Sequence, residues 1–386
     1  MPAALSRSLW AVIWAVIVFS AFLADTARAY GQLKQASMPS QRTPAPLPRV
    51  LPVKGPADAG SSFDRTRIHA ISAAKENLRA GVTRIAIPQK IGERTIEREV
   101  LIHAPRSIAS SDRHPVLLAL HGNGGRHRDF VRELQPFIDR GAFVGVYPQG
   151  YRRSWNLGKE ASTADDVTFL TAVIQELSKY KQLDTDAMFA MGVSNGAGMA
   201  HKLAIETDHL LAIAAIVTQL TALNLPGDET PAVSVLQVSG DRDPIIPYDG
   251  GDSPTGHLFL PAEISSQIWA RHNGIKSPPE VSETVDGNQR LFYRGGPSGA
   301  VVVHYRMRNF GHGGFEREEG GIHRLVWNFF QQQLVRVATK YIADRASMAN
   351  GRNRRGMVCP SILLPCECPI AIPEALSLRC IAFVAV

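Results

Sequence analysis

Short apolar runs alternate with helical repeats along most of the chain. Runs of β-forming residues indicate strands, and apolar residues spaced by three and four indicate one face of a helix. The predicted strands span residues 83–87, 93–102, 116–120, 143–147, 187–192, 212–217, 234–238 and 301–306. The predicted helices span residues 164–181, 196–206 and 262–273, followed by a last helix that begins near residue 322. This alternation predicts an α/β fold with a mainly parallel central sheet flanked by helices, preceded by a hairpin at one sheet edge.

The N-terminal part of the chain lacks this alternation. Residues 1–29 join a positive start, an uncharged apolar run over residues 9–24 and an Ala-Arg-Ala site that ends at Ala29. This pattern predicts a signal peptide cleaved after Ala29, and therefore a secreted or periplasmic protein with no stable membrane association after cleavage. An uncleaved anchor is the alternative, although the run is shorter than the ~20 residues of a typical membrane span. Residues 30–81 predict a proline-rich linker with a short helix at residues 68–80.

The C-terminal part also differs from the middle of the chain. We expect a catalytic domain over residues 82–340 and a poorly ordered tail over residues 341–386. The tail holds all four cysteines, which permit three disulfide pairings. Their spacing fits no familiar zinc site, so no metal is expected. These cysteines are Cys359, Cys366, Cys368 and Cys380.

Length and charge restrict the classes of protein. A chain of 386 residues can form one large domain or two ordinary ones, and 45% hydrophobic with 20% charged residues is a globular composition. The formal net charge is +7. Nucleic-acid binding would need this charge clustered beside a reader motif, and the sequence has no zinc-finger spacing, RNA-binding aromatic motif or Walker loop. No nucleic-acid partner is therefore expected.

A candidate nucleophile lies where a predicted strand meets a predicted helix. The run Gly192-Val193-Ser194-Asn195-Gly196 fits the G-x-S-x-G pattern. In this pattern the serine stands on a sharp turn, and the glycines are needed because the turn leaves no room for nearby side chains. We predict that Ser194 is the nucleophile. A glycine-rich turn without catalytic function is the alternative.

A catalytic acid and a histidine should follow the serine in chain order. Asp243 follows the strand at residues 234–238 and is the predicted acid, with Asp241 as its competitor. His312, surrounded by glycines just after the last strand, is the predicted base. The alternative candidates for this role are His257, His272, His304 and His323.

Two backbone donors are expected to stabilise an oxyanion. One is the N–H of Asn195, directly after the nucleophile. The second should come from the glycine-rich run that follows the strand at residues 116–120, from either Asn123 or Gly124. His121 opens this run, and we expect it to shape the loop.

A further pair of residues lies at the sheet end where ligands bind in α/β folds. Trp155 and Asn156 follow the strand at residues 143–147 and could form a wall of the substrate site, while a structural role for Trp155 is equally consistent with the pattern. Asp165 and Asp166 open a helix, a position that favours acidic residues for electrostatic reasons alone.

Taken in order, these motifs resemble the polyhydroxybutyrate depolymerase and feruloyl esterase group of α/β-hydrolases. This group includes LpqC-like secreted esterases and lies close to carbohydrate esterase family one. The resemblance covers residues 83–334 and implies one α/β-hydrolase domain, a Ser194–Asp243–His312 triad, no metal and no cofactor. The motifs that carry it are Leu120-His121-Gly122-Asn123-Gly124-Gly125, Tyr147-Pro148, Trp155-Asn156, Asp165-Asp166-Val167, Gly192-Val193-Ser194-Asn195-Gly196, Gly240-Asp241-Arg242-Asp243, Pro247-Tyr248 and Gly311-His312.

The chain departs from this group in three respects. Its catalytic domain has no cysteine, Ala197 stands where many relatives have glycine, and only a short tail stands where polymer depolymerases carry a substrate-binding domain. The predicted function is therefore hydrolysis of polyhydroxyalkanoate oligomers or feruloyl and acetyl sugar esters through an acyl-enzyme, rather than attack on solid polymer. A serine peptidase of the same fold and a non-catalytic binding protein are the alternatives.

Overall fold

The computed structural model describes residues 75–313 and 321–353. The predicted signal peptide, residues 30–74 of the predicted linker and the cysteine-containing tail beyond residue 353 lie outside the described residues. The strands of the described part are β1 (Gly81–Ile91), β2 (Arg94–Ala104), β3 (His114–Leu120), β4 (Val144–Pro148), β5 (Leu183–Val193), β6 (Ala212–Ile216), β7 (Ser234–Gly240), β8 (Gly251–Asp252), β9 (Leu258–Phe259), β10 (Glu280–Glu283), β11 (Gln289–Tyr293) and β12 (Val302–Met307). Its α-helices are α1 (Val131–Ile138), α2 (Asp166–Leu177), α3 (Asn195–Glu206), α4 (Ala262–His272) and α5 (Ile322–Asn353).

Ten of these strands form one sheet in the order β1-β2-β4-β3-β5-β6-β7-β12-β11-β10. The six strands in its middle, from β4 to β12 in this order, pair in parallel. The two strands at each edge pair antiparallel, as the predicted β1–β2 hairpin does at one of them. The short strands β8 and β9 form a separate ribbon.

The sheet carries a hydrophobic core on each face because its central strands are buried on both sides. Along β3, Val116, Leu118 and Leu120 belong to one core, and Leu117 and Ala119 belong to the other, as the two-residue period of a strand requires. Helices α2, α3 and α4 contribute to the first core, and α1 and α5 contribute to the second. The parallel centre, the helices on both faces and a serine turn after β5 make this an α/β-hydrolase fold, which confirms the predicted fold class.

The sequence pattern failed to predict several elements. The pattern gave no sign of α1, which is short and contains Pro136, a residue that usually marks a helix end. It also missed β10 and β11, and all four residues of β10 are exposed, so no burial period exists there to be read. The predicted helix at residues 68–80 is wrong over its described part, because residues 75–80 are not helical.

The ends of the folded part also differ from the predicted boundaries. Glu76 pairs with Tyr180, and the Leu78 N–H donates to Gln182 Oε1 at 2.9 Å, so the segment before residue 82 already packs on the sheet domain. At the other end α5 continues to Asn353, beyond the predicted domain end at residue 340. Among the described residues, no helix combines the length and apolar character that a membrane span requires.

Candidate active site

Ser194 lies on a strained turn between β5 and α3. Its backbone has φ 54° and ψ −123°, a conformation that L-residues rarely adopt. A Cβ at Gly192 would lie 2.2 Å from the Gly196 carbonyl oxygen, and one at Gly196 would lie 2.1 Å from the Leu120 carbonyl oxygen. Any side chain at either glycine would therefore collide with backbone. Gly196 is required because α3 starts in direct contact with the end of β3, and Gly192 is required because the end of β5 lies against the first residues of α3.

The three predicted triad residues come together at the carboxyl ends of the parallel strands. The Nε2 atom of His312 lies 2.8 Å from Ser194 Oγ, and its Nδ1 atom lies 2.7 Å from Asp243 Oδ2. The second oxygen of Asp243 accepts the N–H groups of Ile245 at 2.8 Å and Ile246 at 2.9 Å. The Asp243 side chain is only 2% exposed. Its carboxylate is thus held by three donors and aligned on the imidazole.

Asp241, the competing acid, lies elsewhere. Its Oδ1 atom accepts the Asn309 N–H at 2.7 Å, and its Oδ2 atom lies 3.5 Å from Arg306 Nε. These contacts hold the end of β12 and do not involve His312. The structure therefore places Asp243, and not Asp241, beside the histidine.

The loop after β3 lies directly against the serine turn. A Cβ at Gly122 would lie 3.4 Å from the Val193 carbonyl oxygen and 3.6 Å from the Cβ of Ser194, so the loop and the serine turn are within one van der Waals layer of each other. The two predicted donors in the loop differ. The Gly124 N–H donates to the Arg153 carbonyl oxygen at 2.8 Å, and the Arg153 guanidinium in turn donates to the Gly124 carbonyl oxygen. Because the Gly124 N–H is engaged, its prediction as an oxyanion donor is corrected, and Asn123 remains the predicted donor of this loop.

His121 fixes the start of the same loop. The Gly150 N–H donates to its Nε2 atom at 3.0 Å, so this nitrogen carries no proton, and its Nδ1 atom lies 2.8 Å from the Gly122 carbonyl oxygen. The Gln149 side-chain amide also contacts Nε2, at 2.9 Å. Burial lowers the pKa of His121, outweighing the opposing effect of its Gly122 hydrogen bond, which favours the neutral ring that these contacts require. The imidazole ties the loop to the end of β4.

Trp155 does not line a substrate site but takes the structural role that the sequence pattern also allowed, and the polar side-chain atoms of the half-buried Asn156 bond within the protein. Trp155 is completely buried, and its indole N–H donates to the His121 carbonyl oxygen at 2.9 Å. The Asn156 side chain donates to the Ala164 carbonyl oxygen at 3.0 Å and accepts the Gly158 N–H at 3.0 Å. Both residues therefore use their polar atoms to hold the loop that follows β4.

A buried ion pair between β2 and α2 holds the loop that follows β4. The Arg98 guanidinium lies 2.6 Å from Asp166 Oδ1, and the two side chains are 2% and 0% exposed. The other oxygen of Asp166 accepts the Asn156 N–H at 2.7 Å. Arg98 also donates to Gln89 Oε1 at 2.7 Å and to the Gln149 carbonyl oxygen at 2.9 Å. Asp166 is thus more than a helix-end acid, since it anchors the loop to β2.

A second acid–histidine pair lies beside the serine turn. The Oε1 atom of Glu160 lies 2.8 Å from His257 Nε2 and accepts the Asn195 side-chain amide at 3.1 Å. Sequence reasoning missed this pair and Arg98. Glu160 stands in a polar loop and His257 before a two-residue strand, so neither has a motif around it. Only the fold brings Glu160 to Asn195 and His257 to Glu160.

The comparisons with known proteins agree with part of this picture. No family model matches the chain. It is 29% identical over 204 residues to the putative esterase NocK of Nocardia uniformis subsp. tsuyamanensis. The aligned residues make up 50% of this chain and 59% of that protein. It is 24% identical over 251 residues to feruloyl esterase B of Piromyces equi. The aligned residues make up 61% of this chain and 45% of that protein. The chain thus spans about half the length of these two curated relatives.

Further relatives carry related names. The chain is 26% identical over 161 residues to feruloyl esterase C of Emericella nidulans, which covers 40% of this chain and 58% of that protein. An acetyl xylan esterase from Aspergillus awamori is 13% identical with a TM-score of 0.45, covering 64% of this chain and 99% of that one. The fold assignment rests on strand order and the serine turn. The curated relatives confirm the resemblance of the chain to a feruloyl esterase-like group of esterases.

Proposed function

We propose that this protein is a serine ester hydrolase that cleaves carboxylic esters of sugars, with feruloyl and acetyl groups as the acyl classes. The observation that carries the proposal is the continuous contact from Ser194 Oγ through His312 to Asp243, at 2.8 Å and 2.7 Å. This geometry suits activation of a serine hydroxyl by an oriented imidazole. The names of the curated relatives support the ester class.

The proposed reaction uses these positions in two half-reactions. His312 Nε2 takes the proton of Ser194 Oγ as the oxygen attacks the ester carbonyl carbon, and the carbonyl oxygen becomes an oxyanion facing the N–H groups of Asn195 and Asn123. The imidazolium, stabilised by Asp243, then gives its proton to the leaving alcohol as the carbon–oxygen bond breaks. Water, deprotonated by the same imidazole, attacks the acyl-serine and releases the acid. The imidazolium gives the proton taken from water to Ser194 Oγ as the acyl–oxygen bond breaks, so the serine proton has left with the alcohol and a water proton has replaced it.

The proposal includes export of the protein, which is supported by the apolar run and Ala-Arg-Ala site of residues 1–29. Expression of the full chain in a bacterial host, followed by N-terminal sequencing of the extracellular or periplasmic fraction, tests it. A mature protein that begins at Tyr30 is expected. Full-length protein retained in the membrane fraction would contradict export with cleavage.

A substrate panel with a serine variant tests the activity. We expect the wild type to hydrolyse p-nitrophenyl acetate, methyl ferulate or acetylated xylan, and Ser194→Ala to lose on the order of 10⁶ in kcat. Ser282→Ala, on the exposed strand β10, is the matched control and should behave as the wild type. Labelling by a fluorophosphonate should map to Ser194 alone.

The same panel separates the alternatives. Turnover of hydroxybutyrate oligomers with no turnover of sugar esters would replace the proposed acyl class by polyhydroxyalkanoates. Rapid peptide cleavage with background ester hydrolysis would replace the ester hydrolase by a peptidase. Absence of fluorophosphonate labelling in folded protein would indicate a non-catalytic binding protein.

A further inference from the structure

The side chain of Asn195 makes four polar contacts. Its Oδ1 atom accepts the Trp155 N–H at 2.7 Å and lies 3.3 Å from Ser154 Oγ. Its Nδ2 atom donates to the Trp155 carbonyl oxygen at 2.9 Å and to Glu160 Oε1 at 3.1 Å. A backbone N–H can only donate and a carbonyl or carboxylate oxygen can only accept, so these partners allow one orientation of the amide. Both ends of the Asn195 side-chain amide are therefore fixed, its oxygen by donors and its nitrogen by acceptors.

Glu160 is the acceptor at the centre of this cluster. Its Oε1 atom faces Asn195 Nδ2 and His257 Nε2, and its Oε2 atom accepts the N–H groups of Leu157 at 2.6 Å and Lys159 at 3.2 Å. In the His257 tautomer that carries its proton on Nε2 all four partners donate, and an ionised carboxylate accepts from all of them. Burial alone would raise the pKa of Glu160, but the hydrogen bonds from His257 and Leu157 outweigh it and the pKa is lowered.

Of the two side chains that bond Glu160 Oε1, His257 lies closer, at 2.8 Å against 3.1 Å for Asn195. The histidine side chain is 3% exposed and the glutamate side chain 13%, so the pair is largely shielded from solvent. A carboxylate taken out of water is costly unless it is paired and hydrogen-bonded. His257 thus makes it favourable for Glu160 to remain ionised beside Asn195.

The cluster reaches the second part of the oxyanion site through Trp155. The Trp155 backbone bonds the Asn195 amide, and its indole N–H donates to the His121 carbonyl oxygen. His121 opens the loop that contains Asn123. One continuous set of hydrogen bonds therefore runs from His257 to both backbone segments that carry the predicted oxyanion donors.

We propose that Glu160 and His257 are positioning residues that set the spacing between the Asn195 and Asn123 backbone donors. The inference rests on the proposed ester hydrolase function, because an oxyanion forms only when Ser194 attacks a carbonyl. Neither residue touches the reacting atoms. Their effect appears in the transition state, where the oxyanion exists, and is small in the bound ester.

The substitution Glu160→Gln tests this directly. The glutamine amide would turn its NH₂ group toward donors, either toward Leu157 and Lys159 or toward Asn195 and His257, and would disturb these contacts without changing the volume. We expect kcat to fall about 10- to 100-fold while KM stays within about twofold, the size typical of groups that orient reacting residues. Glu263→Gln is the matched control, since Glu263 is half-buried and accepts the Tyr248 hydroxyl at 3.1 Å outside this cluster.

A tetrahedral analogue separates positioning from general damage to the fold. Phenylboronic acid forms a tetrahedral adduct with a catalytic serine, so its inhibition constant reports stabilisation of the transition state. In Glu160→Gln the inhibition constant should rise by about the factor by which kcat/KM falls. Thermal unfolding of both glutamine variants is measured in parallel.

His257 gives an independent test in case Glu160→Gln does not fold. His257→Gln keeps an N–H that can donate to Glu160, whereas His257→Leu removes it. We expect His257→Gln to retain at least about half of the wild-type kcat and His257→Leu to lose about tenfold or more, with KM changed little in both.

The outcomes are distinguishable from failure of the proposed function. An active wild type that is silenced by Ser194→Ala, together with unchanged kcat and boronate inhibition in Glu160→Gln and His257→Leu, would overturn this inference alone. Equal losses in Glu160→Gln and Glu263→Gln would overturn it as well, since the effect would then be general. A folded wild type that hydrolyses no ester would overturn the proposed function and this inference together.

Discussion

The geometry of Asp243 predicts the effect of replacing it with asparagine. In the wild type Oδ1 accepts two backbone N–H groups, from Ile245 and Ile246, and Oδ2 faces His312 Nδ1 at 2.7 Å. The asparagine oxygen must stay with the backbone donors, because turning NH₂ toward them would leave buried donors unpaired at about 1–3 kcal/mol each. The NH₂ group then faces Nδ1.

This orientation reverses the tautomer of the histidine. Nδ1 must accept, so the ring proton moves to Nε2, which lies 2.8 Å from Ser194 Oγ. An imidazole with its proton on that side cannot take the serine proton. Loss of the correct tautomer in a serine triad costs about 10⁴ in kcat, equivalent to about 5 kcal/mol in the barrier. We expect Asp243→Asn to show this loss with a nearly unchanged melting temperature.

Steady-state hydrolysis of p-nitrophenyl acetate measures the effect, and the rate of fluorophosphonate labelling checks it without turnover. Asp241→Asn is the matched control, since Asp241 lies in the same loop and bonds Asn309 instead of His312. It should keep kcat within about threefold of the wild type. Activity of Asp243→Asn within tenfold of the wild type, or an equal loss in both variants, would refute the tautomer argument.

Three further predictions concern the fold. Gly196→Ala should yield no soluble protein, because its Cβ would lie 2.1 Å from a carbonyl oxygen, and recovery of active enzyme would contradict the tight contact. Arg98→Met and Asp166→Leu should each lower the free energy of unfolding, measured in urea, by about 3–5 kcal/mol, because each leaves a buried charge unpaired. The double variant should lose less than the sum of the two, and additive losses would show that the pair is not coupled. Burial lowers the pKa of His201 to about 4 and that of His304 to about 3 from an ordinary 6.5, so the unfolded chain binds protons first and the free energy of unfolding falls as pH drops below 6.5. The slope should reach about 1.4 kcal/mol per pH unit for each histidine, and an unchanged slope in His304→Phe would contradict this.

Much of the geometry of the proposed catalytic site could be predicted from sequence because it depends on local rules. Gly192 and Gly196 indicate a turn that leaves no room for side chains. The chain order of the fold limits the acid and the base to residues after the serine. Asp243 and His312 also follow strands β7 and β12, whose apolar runs are easy to recognise. The parallel arrangement then brings the strand ends together without further information.

The errors arise where the outcome depends on tertiary contacts. Gly124 looked as suitable a donor as Asn123, and only the contact with Arg153 distinguishes them. Trp155 stood at the end of the sheet where ligands bind, but its indole found a buried carbonyl oxygen instead. Long-range pairs such as Glu160–His257, 97 positions apart, leave no local pattern.

The strain at the serine turn is held by the neighbouring strand. Val217, directly after β6, also has a positive φ of 53°, which is costly for a β-branched residue. Two hydrogen bonds join the two turns: the Ser194 N–H donates to the Ile216 carbonyl oxygen at 2.9 Å, and the Thr218 hydroxyl donates to the Ser194 carbonyl oxygen at 2.8 Å. A third holds the second turn to β7, since the Val217 N–H donates to the Val238 carbonyl oxygen at 2.8 Å.

Each strained residue costs about 1–3 kcal/mol, while each of these hydrogen bonds contributes about 0.5–1.5 kcal/mol. The bonds that offset the strain of the serine turn are made with the residues at the end of β6, and the strain of those residues is offset in part by the bond to β7. The two strained turns therefore stabilise each other. The half-buried Ser194 faces His312 because β6 and β7 hold its backbone in place. The buried residues after β6 are therefore as much a condition of the site as the glycines of the motif.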